Sequence, residues 1–222
     1  MTVSDVPALR SDQTTFRISI RLQQLKLQEG QHVLAICHDV TDRVETELEL
    51  RSELRTQKVM ANSDSLTSLA NLRHFKANLD NEIERCARHQ CSFALVYFDL
   101  DNFKPINDEM GHAEGDRVLR TVASVLKQRI RIGDMAARLG GDEFAILLPD
   151  TGVSGAQEFT RAISQALDEA MESRGWAVSF SIGVATFVQS PPDSNHALQV
   201  VDELMYQAKD SGKGKTEFRS YI

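Results

Sequence analysis

The 222-residue chain has few cysteines, no long apolar run and no excess of positive charge. No stretch approaches the ~18 apolar residues that suggest a membrane-spanning helix, and the N-terminus lacks the basic-then-apolar pattern of a secretory signal. The 25 Lys and Arg residues against 32 Asp and Glu residues give a net charge of −7, which argues against bulk binding of nucleic acid or anionic membrane. We therefore expect a soluble cytoplasmic protein with no nucleic-acid partner and no membrane segment in this chain.

Several common chemical motifs are also missing. The three cysteines, Cys37, Cys86 and Cys91, form no CxxC motif and cannot all pair, so a reduced intracellular setting is expected. The chain has no HExxH or GxSxG motif, and Gly212 and Gly214 do not have the spacing of a GxxxxGK phosphate loop. A phosphate-carrying ligand would therefore need a local basic pocket or a metal.

The first sixty residues divide into three segments. Residues 1–13 are polar and carry Pro7, and we expect them to be frayed. Residues 14–40 alternate apolar and polar side chains and predict a β-hairpin with its turn at Glu29-Gly30. Two strands alone are marginal in water, so this hairpin should pack on something absent from the chain or on a second copy of itself. Residues 41–62 predict a linker helix, with Thr41 or Asp42 as N-cap, for which coiled-coil and solvated forms remain open.

Residues 63–222 predict an α+β domain in which helices cover a mixed central sheet. Helical periodicity covers 72–88, 113–130, 153–171 and 196–208, and the second of these is preceded by a short helix that breaks at Gly111. Strands are predicted at 92–98, 135–139, 144–148, 176–188 and 217–221.

Acidic residues follow the ends of these strands. Asp99-Leu100-Asp101 comes directly after the apolar strand SFALVYF, and Asp142-Glu143 lies at a Gly-Gly hairpin turn. If the hairpin strands pair with the first strand, both clusters meet. Oxygen ligands in that arrangement suit Mg²⁺ together with phosphate oxygens; ordinary loop acids are the alternative.

Polar side chains elsewhere have two interpretations. Asn107 and Asp116 suit the hydrogen-bonding edge of a purine, but their spacing alone favours roles as helix caps and first-turn acids. Lys209 and Lys213 could neutralise a triphosphate or simply stabilise a helix dipole, and Lys104 is a third candidate cation. Together with the acidic clusters, these residues indicate metal-assisted phosphoryl or nucleotidyl transfer.

Four segments then resemble the GGDEF family, the diguanylate cyclases. The signature is RLGGDEF at 138–144, and the entry motif DSLTSLAN at 64–71 resembles the family's with Ser68 and Leu72 as departures. FDLDNFKPINDEMGHAEGD at 98–116 and YQAKDSGK at 206–213 match the metal-and-guanine and phosphate motifs. The resemblance implies a fold similar to the palm of polymerases and class III nucleotide cyclases. It also implies condensation of two GTP into cyclic di-GMP and two pyrophosphates at a homodimer interface.

The resemblance assigns roles by position. Asp99, the Leu100 carbonyl and Asp142 would hold Mg²⁺, which Mn²⁺ could replace. Asp142, or second to it Glu143, would help to deprotonate the 3′-hydroxyl, and Lys104 would stabilise transition-state charge. The implied substrate-binding residues are Phe103, Asn107, His112, Asp116, Lys209 and Lys213. An acid at Asp116 favours guanine, whereas a serine would admit adenine.

Two further segments extend the resemblance. Arg131-Ile-Gly-Asp134 precedes the signature at the spacing of the family's RxxD site, where bound cyclic di-GMP inhibits turnover; a surface ion pair is the alternative. Residues 1–40 and 41–62 resemble the end of a PAS sensor domain and its signalling helix, with the catalytic domain at 63–222. A vestigial PAS segment that dimerises the cyclase and a piece of a longer sensor are the two alternatives for this part. Because all signature acids are present, we favour a cyclase over a non-catalytic GTP or cyclic di-GMP receptor or a dimeric signalling module.

Overall fold

The computed structural model describes residues 2–27 and 30–221 of the chain. The strands are β1 (Thr2–Leu9), β2 (Thr15–Leu27), β3 (Gly30–Asp39), β4 (Ala70–Asn71), β5 (Phe93–Asp101), β6 (Met135–Gly140), β7 (Glu143–Pro149), β8 (Ser179–Phe187) and β9 (Thr216–Tyr221). The helices are α1 (Thr41–Asn62), α2 (Leu72–His89), α3 (Phe103–Met110), α4 (His112–Arg129), α5 (Val153–Glu172) and α6 (Ser194–Asp210). Two compact units divide after residue 59.

The N-terminal unit contains a three-stranded antiparallel sheet. Strands β2 and β3 confirm the predicted antiparallel pair, whereas the frayed N-terminus was a wrong prediction. The added strand is β1, which pairs with β2 as the edge of the sheet. Pro7 discouraged a strand prediction, but an edge strand tolerates a residue without an amide proton. Asp12 stabilises the β1–β2 turn, since its carboxylate accepts bonds from the Thr14 amide at 2.9 Å and hydroxyl at 2.6 Å. Part of the predicted Glu29-Gly30 turn lies outside the described residues.

Helix α1 follows β3 directly and confirms the predicted helix. Its start differs from the prediction, because Thr41 is already helical. The Asp39 carboxylate accepts bonds from the Thr41 amide at 3.0 Å and from its hydroxyl at 2.6 Å. An acid two positions earlier than Thr41 therefore satisfies the exposed amide of the first turn.

The second unit is built on a mixed sheet with strand order β4-β6-β7-β5-β8-β9. The four inner strands are mutually antiparallel, while β4 and β9 pair in parallel with their neighbours. Helices α4 and α5 pack on one face and α2 and α6 on the other, so β5 is buried along its whole length. This arrangement confirms the predicted α+β class with a mixed central sheet covered by helices.

Helix and strand boundaries in this unit agree with the sequence patterns within a few residues. The predicted break at Gly111 is present, since this residue has φ +84° between α3 and α4. Two details differ: the short strand β4 was not predicted, and residues 176–178 precede β8 rather than belong to it. Within the described residues no helix is long and apolar enough to cross a bilayer.

The cysteines depart from the expected reduced state. Cys86 in the last turns of α2 forms a disulfide with Cys91, and their Cα atoms are 4.6 Å apart. The chain can turn back so quickly because Gln90 adopts a left-handed conformation, with φ 52°, at the end of the helix. Cys37 is a free, exposed thiol.

Candidate active site at the end of the central strand

The two acidic clusters meet because β5 pairs directly with β7. Asp99 lies opposite Glu143 in this register, and the Leu100 amide donates to the Asp142 carbonyl at 3.4 Å. Phe144 anchors the hairpin turn in the core, where its ring stacks on Phe98 with centroids 5.4 Å apart. The pairing therefore holds the carboxylates of both segments at one end of the sheet.

Arg138 holds the glycine turn through hydrogen bonds to its backbone. Its Nε and Nη2 atoms donate to the Gly141 carbonyl at 2.9 and 2.6 Å, and its Nη1 contacts both oxygens of Asp64 at 3.2 and 3.3 Å. Gly141 itself has φ +50°, a conformation that favours glycine. Burial raises the Asp64 pKa, but bonds from Thr67 and Arg138 together bring it below its usual value.

Asp99 is the most perturbed acid of the site. Its pKa rises to about 6, mainly because the group is buried, and the nearby charges of Asp142 and Glu143 add to the rise. Lys209 from α6 opposes this effect through an ion pair with Nζ to Oδ1 at 2.9 Å. The Tyr97 phenol, on the same face of β5 as Asp99, also has a raised pKa, through burial and the charge of Glu143.

Asp101 has a positioning role that the sequence analysis did not assign. This buried carboxylate accepts bonds from the Ser181 hydroxyl at 2.9 Å, the Ser179 hydroxyl at 3.1 Å and the Gly214 amide at 3.0 Å. It therefore joins the end of β5 to the loop that carries Lys213. The sequence signal for this role was the position of Asp101 two residues after Asp99, because side chains two residues apart in a strand lie on the same face.

The remaining predicted cations lie near the same end of β5. Lys213 Nζ contacts the Asn102 side chain at 3.2 Å, directly after Asp101. Lys104 is exposed on the first turn of α3. Among Lys104, Lys209 and Lys213, Lys209 therefore makes the closest contact with an acid of the site, at Asp99.

The predicted guanine-reading residues lie where α3 meets α4. A β-carbon added at Gly115 would lie 2.0 Å from Asn107 Oδ1 and 3.2 Å from Phe103 Cζ, so a glycine leaves room for both side chains. Asp116, the next residue, is paired with Arg120 at 3.2 Å. His112 is exposed at the start of α4. Sequence reasoning missed both Gly115 and Arg120.

Arg131 and Asp134 lie at the opposite end of the β6–β7 hairpin from the glycine turn. The Asp134 side chain is almost fully buried and accepts from the Arg131 amide and Nε, both at 3.0 Å. Arg131 Nη2 also donates to the Pro149 carbonyl at 2.8 Å and to the Thr151 hydroxyl at 3.0 Å. A cavity of about 370 Å³ adjoins these residues.

The donor set of the acidic end fits a hard divalent cation. The charge of Asp142 raises the pKa of Asp99, so the two carboxylates lie close together. A bound cation would relieve this excess of negative charge. Carboxylate and carbonyl oxygens are the ligands that Mg²⁺ prefers. The residues present therefore suit the predicted metal.

Comparisons with known proteins agree with this geometry. The family model for the diguanylate cyclase GGDEF domain matches residues 61–215. Diguanylate cyclase DgcP of Pseudomonas aeruginosa is 32% identical over 173 residues, which are 75% of this chain and 25% of that protein. Diguanylate cyclase DgcS of Shewanella oneidensis is 32% identical over 161 residues, 72% of this chain and 54% of that protein. The chain thus spans less than two-thirds of the length of these curated relatives.

A solved structure gives the same result. The coiled coil and GGDEF domain of DgcB from Caulobacter crescentus, in complex with cyclic di-GMP, superposes with a TM-score of 0.70 at 26% identity. The match covers 81% of this chain and 97% of that one.

Proposed function

The chain belongs to the GGDEF family of diguanylate cyclases, and we propose that it condenses two GTP into cyclic di-GMP and two pyrophosphates. Each subunit of a homodimer would hold one GTP, with the two sites facing each other. Each 3′-hydroxyl would attack the α-phosphate of the opposite GTP, forming a P–O bond as the bond to pyrophosphate breaks. The reaction would take place in the cytoplasm.

The observation that carries this proposal is the meeting of β5 with the glycine turn. It brings Asp99 and Leu100 beside Asp142 and Glu143, with Lys209 as counter-charge. Asp99, the Leu100 carbonyl and Asp142 would hold Mg²⁺, which when bound would neutralise phosphate charge and polarise the α-phosphate. Mn²⁺ could take the same oxygen ligands.

The chain's own groups would complete the chemistry. Asp142 would accept the 3′-hydroxyl proton, with Glu143 second in rank. Lys104 would stabilise charge that develops on the transferring phosphate, and Lys209 and Lys213 would hold the remaining phosphates. Lys209 would therefore exchange part of its contact with Asp99 for a phosphate oxygen when GTP binds.

Guanine recognition would use the α3–α4 junction. Asn107 and Asp116 would bond the purine edge, with Phe103 and His112 beside it. The Asp116 carboxylate suits the N1–H and N2–H₂ donors of guanine. Arg120, which pairs with Asp116 at 3.2 Å, would hold this carboxylate in position.

Product inhibition would act at Arg131 and Asp134. The Arg131 side chain is 62% exposed and can stack on or bond a guanine, whereas both Asp134 oxygens already accept bonds from Arg131. Arg131 would thus contact cyclic di-GMP, while Asp134 would hold the Arg131 side chain in place. The adjoining cavity of about 370 Å³ supports a ligand at this position.

Dimer formation would depend on the N-terminal unit. We assign residues 1–40 to a partial PAS-like β segment, 41–62 to a signalling helix and 63–222 to the catalytic domain. Leu9, Val33, Leu34 and Ile36 are exposed on the N-terminal sheet, which supports contact with a second copy.

The test measures cyclic di-GMP and pyrophosphate from GTP and Mg²⁺ over a range of protein concentrations, with the fraction of dimer followed by sedimentation. We expect one dinucleotide per two pyrophosphates, and a specific activity that rises with the dimer fraction. Constant specific activity from a monomer would contradict the two-subunit reaction.

A further inference from the structure

We propose that Cys86 and Cys91 form a redox-active pair whose disulfide increases the affinity of the Arg131 site for cyclic di-GMP. The inference rests on the proposed function for the identity of that ligand. The chemistry of the thiol pair stands independently of it. Such a pair would make product inhibition depend on the thiol–disulfide balance around the protein.

The geometry of the pair suits reversible oxidation. Cys86 is buried on the inner face of α2, whereas Cys91 is only partly buried on the segment that leads into β5. Their Cα separation of 4.6 Å is within the range of disulfides. Disulfides that occur in reducing compartments are usually transient or redox-sensing rather than structural. An accessible Cys91 could begin exchange, and Cys86 could complete it.

A metal site is the competing use of these sulfurs. Glu82 lies close enough to both cysteines to serve as a third ligand, with Cys86 Sγ 3.6 Å from Glu82 Oε1. However, Arg85 binds both Glu82 oxygens, with Nε to Oε2 at 2.8 Å and Nη2 to Oε1 at 2.7 Å. Because the carboxylate is already neutralised by a guanidinium, the site favours a dithiol over a cation.

The disulfide loop contacts the segment that holds Arg131. Phe93, two residues after Cys91, pairs with Pro149. The Ser92 carbonyl accepts from the Thr151 amide at 3.2 Å.

The helix side of the loop reaches the same segment. Arg85, directly before Cys86, binds Asp150 at 2.7 Å. Since Arg131 donates to both the Pro149 carbonyl and the Thr151 hydroxyl, segment 149–151 is shared by the disulfide loop and the inhibitory site.

The contacts of residues 149–151 indicate which redox form binds cyclic di-GMP more tightly. With the disulfide closed, the end of α2 and the start of β5 are tied together, and residues 149–151 keep the positions that orient Arg131. Opening the bond removes this tie and allows the segment more conformations. A site that is ordered before binding loses less entropy on binding. The oxidised protein should therefore bind cyclic di-GMP more tightly.

The exchange step balances with a small-molecule disulfide such as oxidised glutathione as oxidant. The Cys91 thiolate attacks the external S–S bond, forms a mixed disulfide and releases one thiolate. The Cys86 thiolate then attacks the Cys91 sulfur, forms the internal bond and releases the second thiolate. Two electrons pass to the external disulfide, and the two cysteine protons reach solvent and the released thiolates.

The first experiment measures the redox state of the full chain, with Cys37→Ser as the background. The protein is equilibrated in glutathione buffers of different potential, alkylated and analysed by mass spectrometry. We expect one native two-electron transition between the dithiol and the Cys86–Cys91 disulfide, absent from Cys91→Ser and Cys86→Ala. Two thiols that stay reduced in excess oxidised glutathione, or a bond that dithiothreitol opens only after unfolding, would overturn the proposal. Zinc retained by the reduced protein through dialysis would also overturn it.

The second experiment measures cyclic di-GMP binding by calorimetry on the oxidised and reduced forms. We expect reduction to weaken binding by about fivefold or more, a typical allosteric coupling. Cys91→Ser should bind like the reduced form under both conditions. Equal affinities would refute the coupling. If neither form binds while the thiol transition is intact, the proposed function fails at this site and the redox pair remains.

Discussion

The Lys209 ammonium lies 2.9 Å from the Asp99 carboxylate, although the two residues belong to different layers of the fold. Lys209 is on α6 and Asp99 is at the end of β5. The pairing raises the Lys209 pKa despite its partial burial and limits the upward shift of the Asp99 pKa. A cation predicted to hold phosphate thus also balances the acidic cluster predicted to hold a metal.

Replacing Lys209 should impair catalysis more than folding. In Lys209→Met, Asp99 loses its counter-charge and GTP loses a phosphate contact, so we expect kcat/KM for GTP to fall by about tenfold or more. Steady-state assays at saturating Mg²⁺ measure this. Lys76→Met removes a cation from α2 whose Nζ donates to the Asn195 side chain at 2.8 Å, and it should behave like the parent. Equal losses in both variants would argue against a specific role.

A methyl group at Gly115 should displace Asn107. The added β-carbon would lie 2.0 Å from Asn107 Oδ1, so this side chain must move in Gly115→Ala. We expect weaker GTP binding, by about tenfold, roughly the value of one good hydrogen bond. Nucleotide titration measures the affinity.

The matched control for this prediction is a double-mutant cycle. Asn107→Ala alone should weaken GTP binding to a similar degree, and Gly115→Ala added to it should cost little more. Fully additive losses would show that the methyl group acts elsewhere than on Asn107.

Acid should remove the stabilisation provided by Asp64. Its pKa is lower in the folded chain than its usual 3.8, through bonds from Thr67 and Arg138 that outweigh burial. The ionised group therefore stabilises the fold fully above pH 3.8, and this contribution is lost as pH falls through the lower folded value. Asp64→Asn should be less stable than the parent at pH 7 by about 1–2 kcal/mol, the scale of charged hydrogen bonds.

Urea unfolding at a series of pH values measures this difference. The gap between Asp64→Asn and the parent should shrink below pH 3.8. A gap that stays constant through acid pH would mean that the carboxylate's charge contributes nothing. Asp108→Asn is the control, because Asp108 lies at an exposed position of α3, away from the bonds that Thr67 and Arg138 donate to Asp64.

Removal of the Arg131 guanidinium should relieve product inhibition. Arg131→Ala keeps the acidic cluster of β5 and the glycine turn, since the two sites lie at opposite ends of the β6–β7 hairpin. We expect the concentration of cyclic di-GMP that halves the initial rate to rise by about tenfold or more. Arg129→Ala, which alters a second cation of the same cavity, is the comparison. An Arg131→Ala protein inhibited like the parent would refute the assignment.

The sequence predicted elements whose signals are local. SFALVYF is apolar throughout because β5 is covered on both faces, and Gly111 interrupts the helical pattern where α3 gives way to α4. The meeting of Asp99 with Asp142 followed once the hairpin was assumed to pair with β5.

What the sequence could not predict depends on contacts between distant residues. Asp101 is joined to Ser179 and Ser181, about eighty positions away, by side-chain bonds that leave no periodic pattern. The Cys86–Cys91 pair needed the left-handed turn at Gln90, which the spacing alone does not reveal. Strand β1 was missed because Pro7 suggests a break in any strand except an edge.

The most direct test of the central claim is the product itself. Purified protein is incubated with GTP and Mg²⁺ beside Asp142→Asn and the surface variant Glu84→Gln, and the nucleotides are identified by chromatography and mass spectrometry. We predict cyclic di-GMP from the parent and from Glu84→Gln, and none from Asp142→Asn. No cyclic di-GMP from a folded parent that binds GTP, or equal product from Asp142→Asn, would contradict the account.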